Sequence, residues 1–257
     1  MSHLMFPRLY SAYVSQFTED LRLWRSMASS QEGSILELGC GPGRVLAELA
    51  KWDFQVTGLD NDPQMLQWTR TNIPSHLQDQ VNLVEADMRR FNLEQRFPLI
   101  IIPCNTFAYF HDQDAHQVLS CIRKHLTSNG QAIIVMPNPD RPFATFRAGS
   151  ETEASQDEPI FLFIEPVSGN PVQVYALEQP DIENKIIHVT WAFDELSPDG
   201  RVQRYQHEIS YHLRSIEDTT SLIEGAGLSL RELSGDYRSG PFKPTSDELI
   251  FIVGLQP

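Results

Sequence analysis

The stretch Ile35-Leu36-Glu37-Leu38-Gly39-Cys40-Gly41-Pro42-Gly43-Arg44 (ILELGCGPGR) runs apolar, acidic, apolar and then breaks into three glycines at alternate positions. A short apolar run closed by a glycine-rich turn reads as a buried strand handing over to a helix, the place where open α/β sheets hold nucleotide-like ligands. Phosphate-binding turns fit it poorly. The dinucleotide turn G-x-G-x-x-G uses its third glycine to bring helix and strand together, and that position here is Arg44. A P-loop ends in Gly-Lys-Ser/Thr, and no Lys-Ser/Thr pair follows Gly43. Glu37, two residues before the first glycine, would repel a pyrophosphate and suit a cation.

The surrounding pattern places this turn first in a series. Strands are expected over 35–38, 54–59, 81–85, 99–103 and 132–136, with helices over about 44–51, 63–72 and 112–126. Asp62-Pro63 supplies a helix cap and a first-turn proline. Asn129-Gly130 is expected to end the later helix and open the fifth strand. Such alternation predicts a parallel, doubly wound α/β sheet. Before it, Leu9, Tyr13, Phe17, Leu21, Trp24 and Met27 recur at spacings of three and four, predicting one amphipathic helix over 8–28. After a polar, irregular stretch over 140–157, residues 160–213 read as strands without helices, with Ser197–Gly200 (SPDG) as a hairpin turn. On the last of these strands Tyr205, His207, Ile209, Tyr211 and Leu213 share one face, which predicts an antiparallel sheet with one wet side. A capped helix from Ser215 and strands over 229–234 and 248–255 close the chain. The expected organisation is a helical cap over 1–32, an α/β domain over 33–157 and 214–257, and an antiparallel insertion over 158–213.

Bulk properties bound the function. The 257 residues, 41% of them hydrophobic, can bury a sizeable core. No apolar run reaches the roughly 18–20 residues that span a bilayer. The opening MSHLMFPRLY lacks the layout of a signal peptide. Three cysteines, Cys40, Cys104 and Cys121, match no disulfide or metal framework, so a reduced, cytoplasmic chain without a membrane partner is expected. Net charge is −14, with thirteen basic and fifteen acidic side chains in residues 1–150, and seven against nineteen in residues 151–257. A nucleic-acid binder shows a basic stripe, and none is visible, so nucleic acid is not an expected partner. The acidic half reads first as a solvated surface, and second as a field favouring a cationic substrate such as an amine.

The strand ends carry the chemistry. The second strand ends in Asp60, placed to accept both hydroxyls of a ribose. The third ends in Val84–Phe91 (VEADMRRF), where Asp87 can accept from an adenine amine and Met88 can pack on the ring. The fourth ends in IIIPCNTFAYF, residues 100–110. Taken in order, these motifs resemble the class I S-adenosylmethionine-dependent methyltransferases over about 35–137, and in pattern over 215–255. The family's L-x-x-G-G turn stands here as Leu126–Gly130, LTSNG, departing at Asn129. The resemblance implies a seven-stranded Rossmann-like sheet and S-adenosyl-L-methionine as cofactor. It places Glu37, Gly39 and Gly41, with Cys40 and Gly43, against the methionine part. Asp60 then binds the ribose and Asp87 with Met88 the adenine, with Asn61, Met65, Pro103 and Cys104 as further cofactor-binding candidates. The insertion resembles the lid of small-molecule N-methyltransferases of the glycine N-methyltransferase and amino-sugar N,N-dimethyltransferase type. In those enzymes aromatic residues of the opening helix close over the cofactor, which makes Tyr13 and Trp24 candidates.

Methyl transfer is a direct displacement in which the protein aligns, desolvates and, where needed, accepts a proton. An amine must be neutral when it attacks. Asn105, Thr106 and Tyr109 follow the strand that would face the methyl group. Tyr109, with an ordinary phenol pKa of roughly 10, reads as an orienter, or equally as a half-buried aromatic at a helix start. His207 reads first as a satisfied wall histidine and second as the remaining base candidate. The histidine pairs 111/116 and 207/212 lack the spacing of a metal motif, so no metal is expected. Arg89 and Arg90 read as ion-paired or solvated. The expected activity is methyl transfer to a small molecule, with an amine nitrogen preferred. A cofactor-binding regulatory or assembly protein and, more remotely, an NAD-linked oxidoreductase are the competing readings. A homodimer stays open.

Overall fold

The computed structural model describes residues 5–141 and 158–256. Most of the polar connection expected over 140–157 therefore lies outside the described residues, as does the MSHL opening. Two sheets are built. The larger has seven strands in the order β10-β11-β5-β4-β1-β2-β3. It comprises β1 (Ile35–Leu38), β2 (Val56–Asp60), β3 (Val81–Glu85), β4 (Phe97–Ile102), β5 (Leu126–Pro137), β10 (Leu228–Ser234) and β11 (Glu248–Leu255). β1 to β5 pair in parallel, whereas β11 runs antiparallel between β5 and β10. The chain is thus the expected doubly wound α/β protein. Its buried strands carry apolar side chains on both faces, as a sheet covered on two sides requires. On β4, Ile100 and Ile102 join Leu36 and Leu38 against α5 (Asp112–His125) and α6 (Ile216–Gly225). Leu99 and Ile101 face the other way, with Leu46 and Leu49 of α3 (Arg44–Lys51).

The third-glycine role of a dinucleotide turn is met elsewhere in this packing. A Cβ added at Gly58, in the middle of β2, would strike the Leu46 and Cys40 side chains, so the strand supplies the bare surface on which α3 rests. α5 ends at His125, and residues 126–130 already belong to β5, so Asn129-Gly130 lies within that strand rather than before it.

The smaller sheet is antiparallel, in the order β6-β7-β8-β9: β6 (Phe161–Ile164), β7 (Pro171–Asp181), β8 (Ile186–Leu196) and β9 (Val202–His212). Its inner face, carrying Val174, Val189, Trp191 and Phe193, is covered by α1 (Met5–Val14) through Leu9, Ala12 and Tyr13.

The opening segment corrects the sequence reading. One helix over 8–28 is replaced by α1 and α2 (Leu21–Ser29). Arg44 Nη1 donates to the Phe17 carbonyl at 2.8 Å, and the Leu21 amide turns to Thr18 O at 3.2 Å. The carbonyl that an unbroken helix would spend on residue 21 is taken by a side chain from the glycine turn.

α1 is fastened to the small sheet by charge. Arg8, 8% exposed, donates to Glu165 and, at 2.5 Å, to Glu195, both of which are buried. Removing one partner of a buried ion cluster leaves unpaired charge, which costs about 3–5 kcal/mol. Arg8→Ala is therefore expected to lower unfolding free energy by about 3 kcal/mol in a urea titration; a change under about 0.5 kcal/mol would mean that the cluster holds nothing in place.

Candidate active site

The carboxyl edge of the large sheet opens into a cavity of about 550 Å³, the size of a ligand pocket. The ends of β1 to β4 form its floor, and α1, β8 and β9 close it from the opposite side.

The glycine turn is pinned from three directions. The Gly39 and Cys40 amides donate to Leu59 O at 2.7 and 3.1 Å. The Gly41 amide donates to Asp60 Oδ2 at 2.7 Å, and the Thr69 hydroxyl donates to Gly41 O at 2.9 Å. Asp60 Oδ1 also accepts from the Asp62 amide at 2.9 Å. Two backbone donors thus orient the Asp60 carboxylate, and its remaining lone pairs stay available. Burial raises its pKa above the ordinary aspartate value.

Glu37 is 2% exposed, lines the cavity and has no hydrogen-bond partner at Oε2. Burial pushes its pKa up to about 8, against the pull of the nearby Arg44. Arg44 is spent elsewhere: it reaches Asp20 with two prongs at 2.7 and 2.6 Å, and Cys104 Sγ at 3.2 Å. The residue that excludes a dinucleotide turn is therefore the one that ties the turn to the break between α1 and α2.

At the end of β3, Asp87 and Met88 line the cavity. Hydrogen bonds from Arg89 hold the Asp87 carboxyl below its usual pKa, and Arg89 also reaches Asp114 at 2.8 Å. Past β4, Cys104 and Asn105 take consecutive left-handed conformations, φ +58° and +61°. Non-glycine residues seldom adopt these angles, which collect at functional sites. Asn105 Oδ1 has no donor. Tyr109 stacks edge-on against Tyr211 with ring centroids 5.2 Å apart, and burial pushes both phenols well above their ordinary pKa. They can donate a hydrogen bond but not serve as bases. His207 lies 4.6 Å from the Phe6 ring, centroid to centroid, and burial lowers its pKa, leaving a neutral imidazole that can accept a proton.

Of the sequence candidates, Tyr13, Cys40, Asn61, Met65, Pro103 and Cys104 also line this cavity. Two do not. Trp24 is 1% exposed in the core beneath α3, because the helix break turns the apolar side of α2 onto the sheet. Its indole N–H donates to Asp20 Oδ2 at 2.9 Å, so it touches the cavity only through Asp20. Gly43 points away from the cavity: at φ +82° it caps α3, and a Cβ there would sit 2.6 Å from Thr69. Sequence reading missed Tyr10, Asp20, Arg44, Trp191, Tyr237 and Glu248, all of which line the cavity. Glu248 carried a signal, being an acid at the head of an otherwise apolar strand, ELIFIVGL. No group of three or more metal-ligating side chains occurs among the described residues. No helix among them is long and apolar enough to cross a membrane.

Residues 35–130 match a protein family described as a methyltransferase domain. Over 140 residues the chain is 32% identical to trans-aconitate 2-methyltransferase of Enterobacter sp. (strain 638), an alignment spanning 53% of this chain and about half, 52%, of that protein. An S-adenosylmethionine-dependent methyltransferase from Clostridium acetobutylicum ATCC 824 superposes over 98% of both chains with a TM-score of 0.75 at 15% identity. An amino pentose methyltransferase from Micromonospora echinaspora, solved with S-adenosylmethionine bound, superposes over 96% of both with a TM-score of 0.67 at 16% identity.

The raised pKa of Glu37 has a consequence for stability. A carboxyl with a folded pKa of about 8 and an ordinary unfolded value favours the folded state at low pH, and that contribution is lost as pH rises towards 8. Glu37→Gln should match the ligand-free wild type in stability near pH 4. It should exceed the wild type by on the order of a few kcal/mol near pH 9, in denaturant melts across that range. Parallel pH profiles would mean that Glu37 is solvated or paired.

Proposed function

We propose that the protein, whose residues 35–130 match the methyltransferase-domain family on the class I fold, binds S-adenosylmethionine in this cavity and moves its methyl group to a small-molecule amine. The observation that carries the reading is the buried Glu37 carboxyl, with Oε2 left without a hydrogen-bond partner, beside a glycine turn whose neighbour on the next strand, Asp60, is aimed by backbone donors.

The donor set fits the cofactor in charge and shape. Glu37 lacks a cation, and the cofactor's α-ammonium supplies one. Asp60 has lone pairs for two ribose hydroxyls, and Gly41 has no atom within 4 Å of where a Cβ would lie, leaving room for a ligand against the turn. Met88 and Met65 offer apolar faces for the adenine and ribose, and Asp87 a carboxylate for the adenine amine. Arg44 also lines the cavity, its guanidinium held by Asp20. A dinucleotide would bring its pyrophosphate against Glu37, which argues against the NAD-linked reading.

When bound, S-adenosylmethionine supplies a methyl group on a positively charged sulfur. The chain's part is to place and desolvate the acceptor. Tyr10, Tyr109 and Tyr211 keep their protons and can orient it by hydrogen bonding. Trp191 and Phe6 give it aromatic faces, which attract a cation. The neutral His207 imidazole can take up the amine's proton. Carboxylates on the cavity wall disfavour acidic acceptors. Trans-aconitate, named for one relative, is a carboxylate and would bring no donor to the unpartnered Oε2 atoms of Glu37 and Glu248, so we read this chain's acceptor as different. The absence of a basic stripe in the sequence argues for a small molecule over nucleic acid, and the three thiols, unpaired among the described residues, suit a reducing, cytoplasmic setting.

Calorimetry with S-adenosylhomocysteine tests the ribose assignment. Asp60→Asn keeps the side chain's size and is expected to weaken binding by roughly ten- to a hundredfold; undiminished affinity would remove Asp60 from the site. Mass spectrometry of products from matched amine, hydroxyl and carboxylate acceptors tests the rest. Methylated amines are expected, whereas turnover confined to carboxylates would overturn the acceptor class. Binding of the cofactor without any product would favour a regulatory role.

A further inference from the structure

Glu248 opens β11, and its pairing with Pro137 puts it at the carboxyl edge of β5, on the cavity side of the sheet. It is 9% exposed, and its Oε2 has no hydrogen-bond partner. Burial, then the negative charges of Asp247 and Asp20, push its pKa up to about 8, while donation from Asn105 works the other way. An isolated carboxylate in this position is destabilising unless it is paired, and the packing of β11 gives no reason to keep one.

Glu248 does not duplicate Glu37. With β11, β5, β4 and β1 adjacent in that order, their backbones stand three strand spacings apart, about 14 Å. Both carboxyls feel the charge of Asp20 and neither feels that of the other, so the two acids occupy separate positions in the cavity. Between them, at the end of β4, stands Asn105, held in a left-handed conformation and with Oδ1 unpartnered. Glu248 Oε2 and Asn105 Oδ1 are two buried acceptors, both short of a donor. A positively charged group with several N–H bonds satisfies both, whereas a hydroxyl brings one donor and no charge, and a carboxylate brings neither.

We propose that Glu248, oriented by Asn105, receives the acceptor's amino group at the transfer centre, and so selects amines over alcohols and acids. This inference rests on the methyl-transfer reading above. It makes Glu248 a specificity-determining residue that binds the acceptor in its ammonium form, before the proton passes to a base such as His207 and the neutral nitrogen attacks.

Two cofactor analogues separate the possibilities. S-adenosylhomocysteine and sinefungin share the adenosine and the α-amino acid, but sinefungin alone carries a second amine on the carbon that replaces sulfur, where the methyl group is transferred. Calorimetric affinities of both are compared in wild type and Glu248→Gln, an isosteric change whose intact S-adenosylhomocysteine binding also reports a folded site. The expected result is a loss of about tenfold for sinefungin, with S-adenosylhomocysteine changed by less than about twofold. Equal losses for both ligands would assign Glu248 to the shared α-ammonium and overturn the proposal. So would unchanged affinity for both. If the wild type binds neither analogue, the methyl-transfer reading itself fails, an outcome distinct from the other two.

Discussion

Glu37 Oε2 and Glu248 Oε2 face one cavity without a hydrogen-bond donor, and buried charge of this kind is tolerated only where something offsets it. In the ligand-free protein the offset is protonation: burial pushes both groups up to about 8. The cation that could have served them, Arg44, is committed to Asp20 by two hydrogen bonds. The cavity is therefore short of positive charge by construction. A ligand that brings ammonium or sulfonium character relieves that shortage, and one that brings phosphate deepens it. The proposed cofactor and the proposed acceptor class both follow from this imbalance rather than from the glycine turn alone.

Arg44 and Arg8 close the cavity as well. Arg44 joins the glycine turn to the break between α1 and α2, and Arg8 joins α1 to the turn and strand ends around Glu165 and Glu195. Between these two ties, α1 lays Phe6, Tyr10 and Tyr13 along the cavity wall. Aromatic side chains from α1, β8 and β9 then meet over the strand ends, where Tyr13 contacts Trp191 at 5.5 Å between ring centroids. Enclosure of this kind excludes water, which strengthens every charge interaction inside.

The parallel sheet was legible because its strands are buried on both faces and its turns carry fixed chemistry: Asp62-Pro63 caps α4 (Pro63–Asn72), and Ser215 caps α6, each with the side-chain bond that the pattern implies. The cavity floor was legible for a related reason. Strand ends in open α/β sheets converge, so Glu37, Asp60, Asp87 and Asn105 could be assembled from their positions alone. Side chains that reach the cavity from distant segments escaped. Tyr10 and Trp191 arrive by helix-to-sheet packing that no local spacing encodes. Glu248 arrives because β11 runs antiparallel, which brings the start of a strand to the edge where the others end. Trp24 was misplaced because helical periodicity at 8–28 cannot register an arginine that removes the Phe17 carbonyl from the ladder.

The central claim is that a cationic cofactor completes a cavity built around protonated acids. Titrating S-adenosylmethionine into the protein at pH 7, by calorimetry in two buffers of different ionisation enthalpy, measures this directly. Saturable binding with release of about one proton is predicted, as the incoming ammonium drives Glu37 to ionise. Binding without proton release, or saturable binding of NADH where S-adenosylmethionine fails to bind, would contradict it.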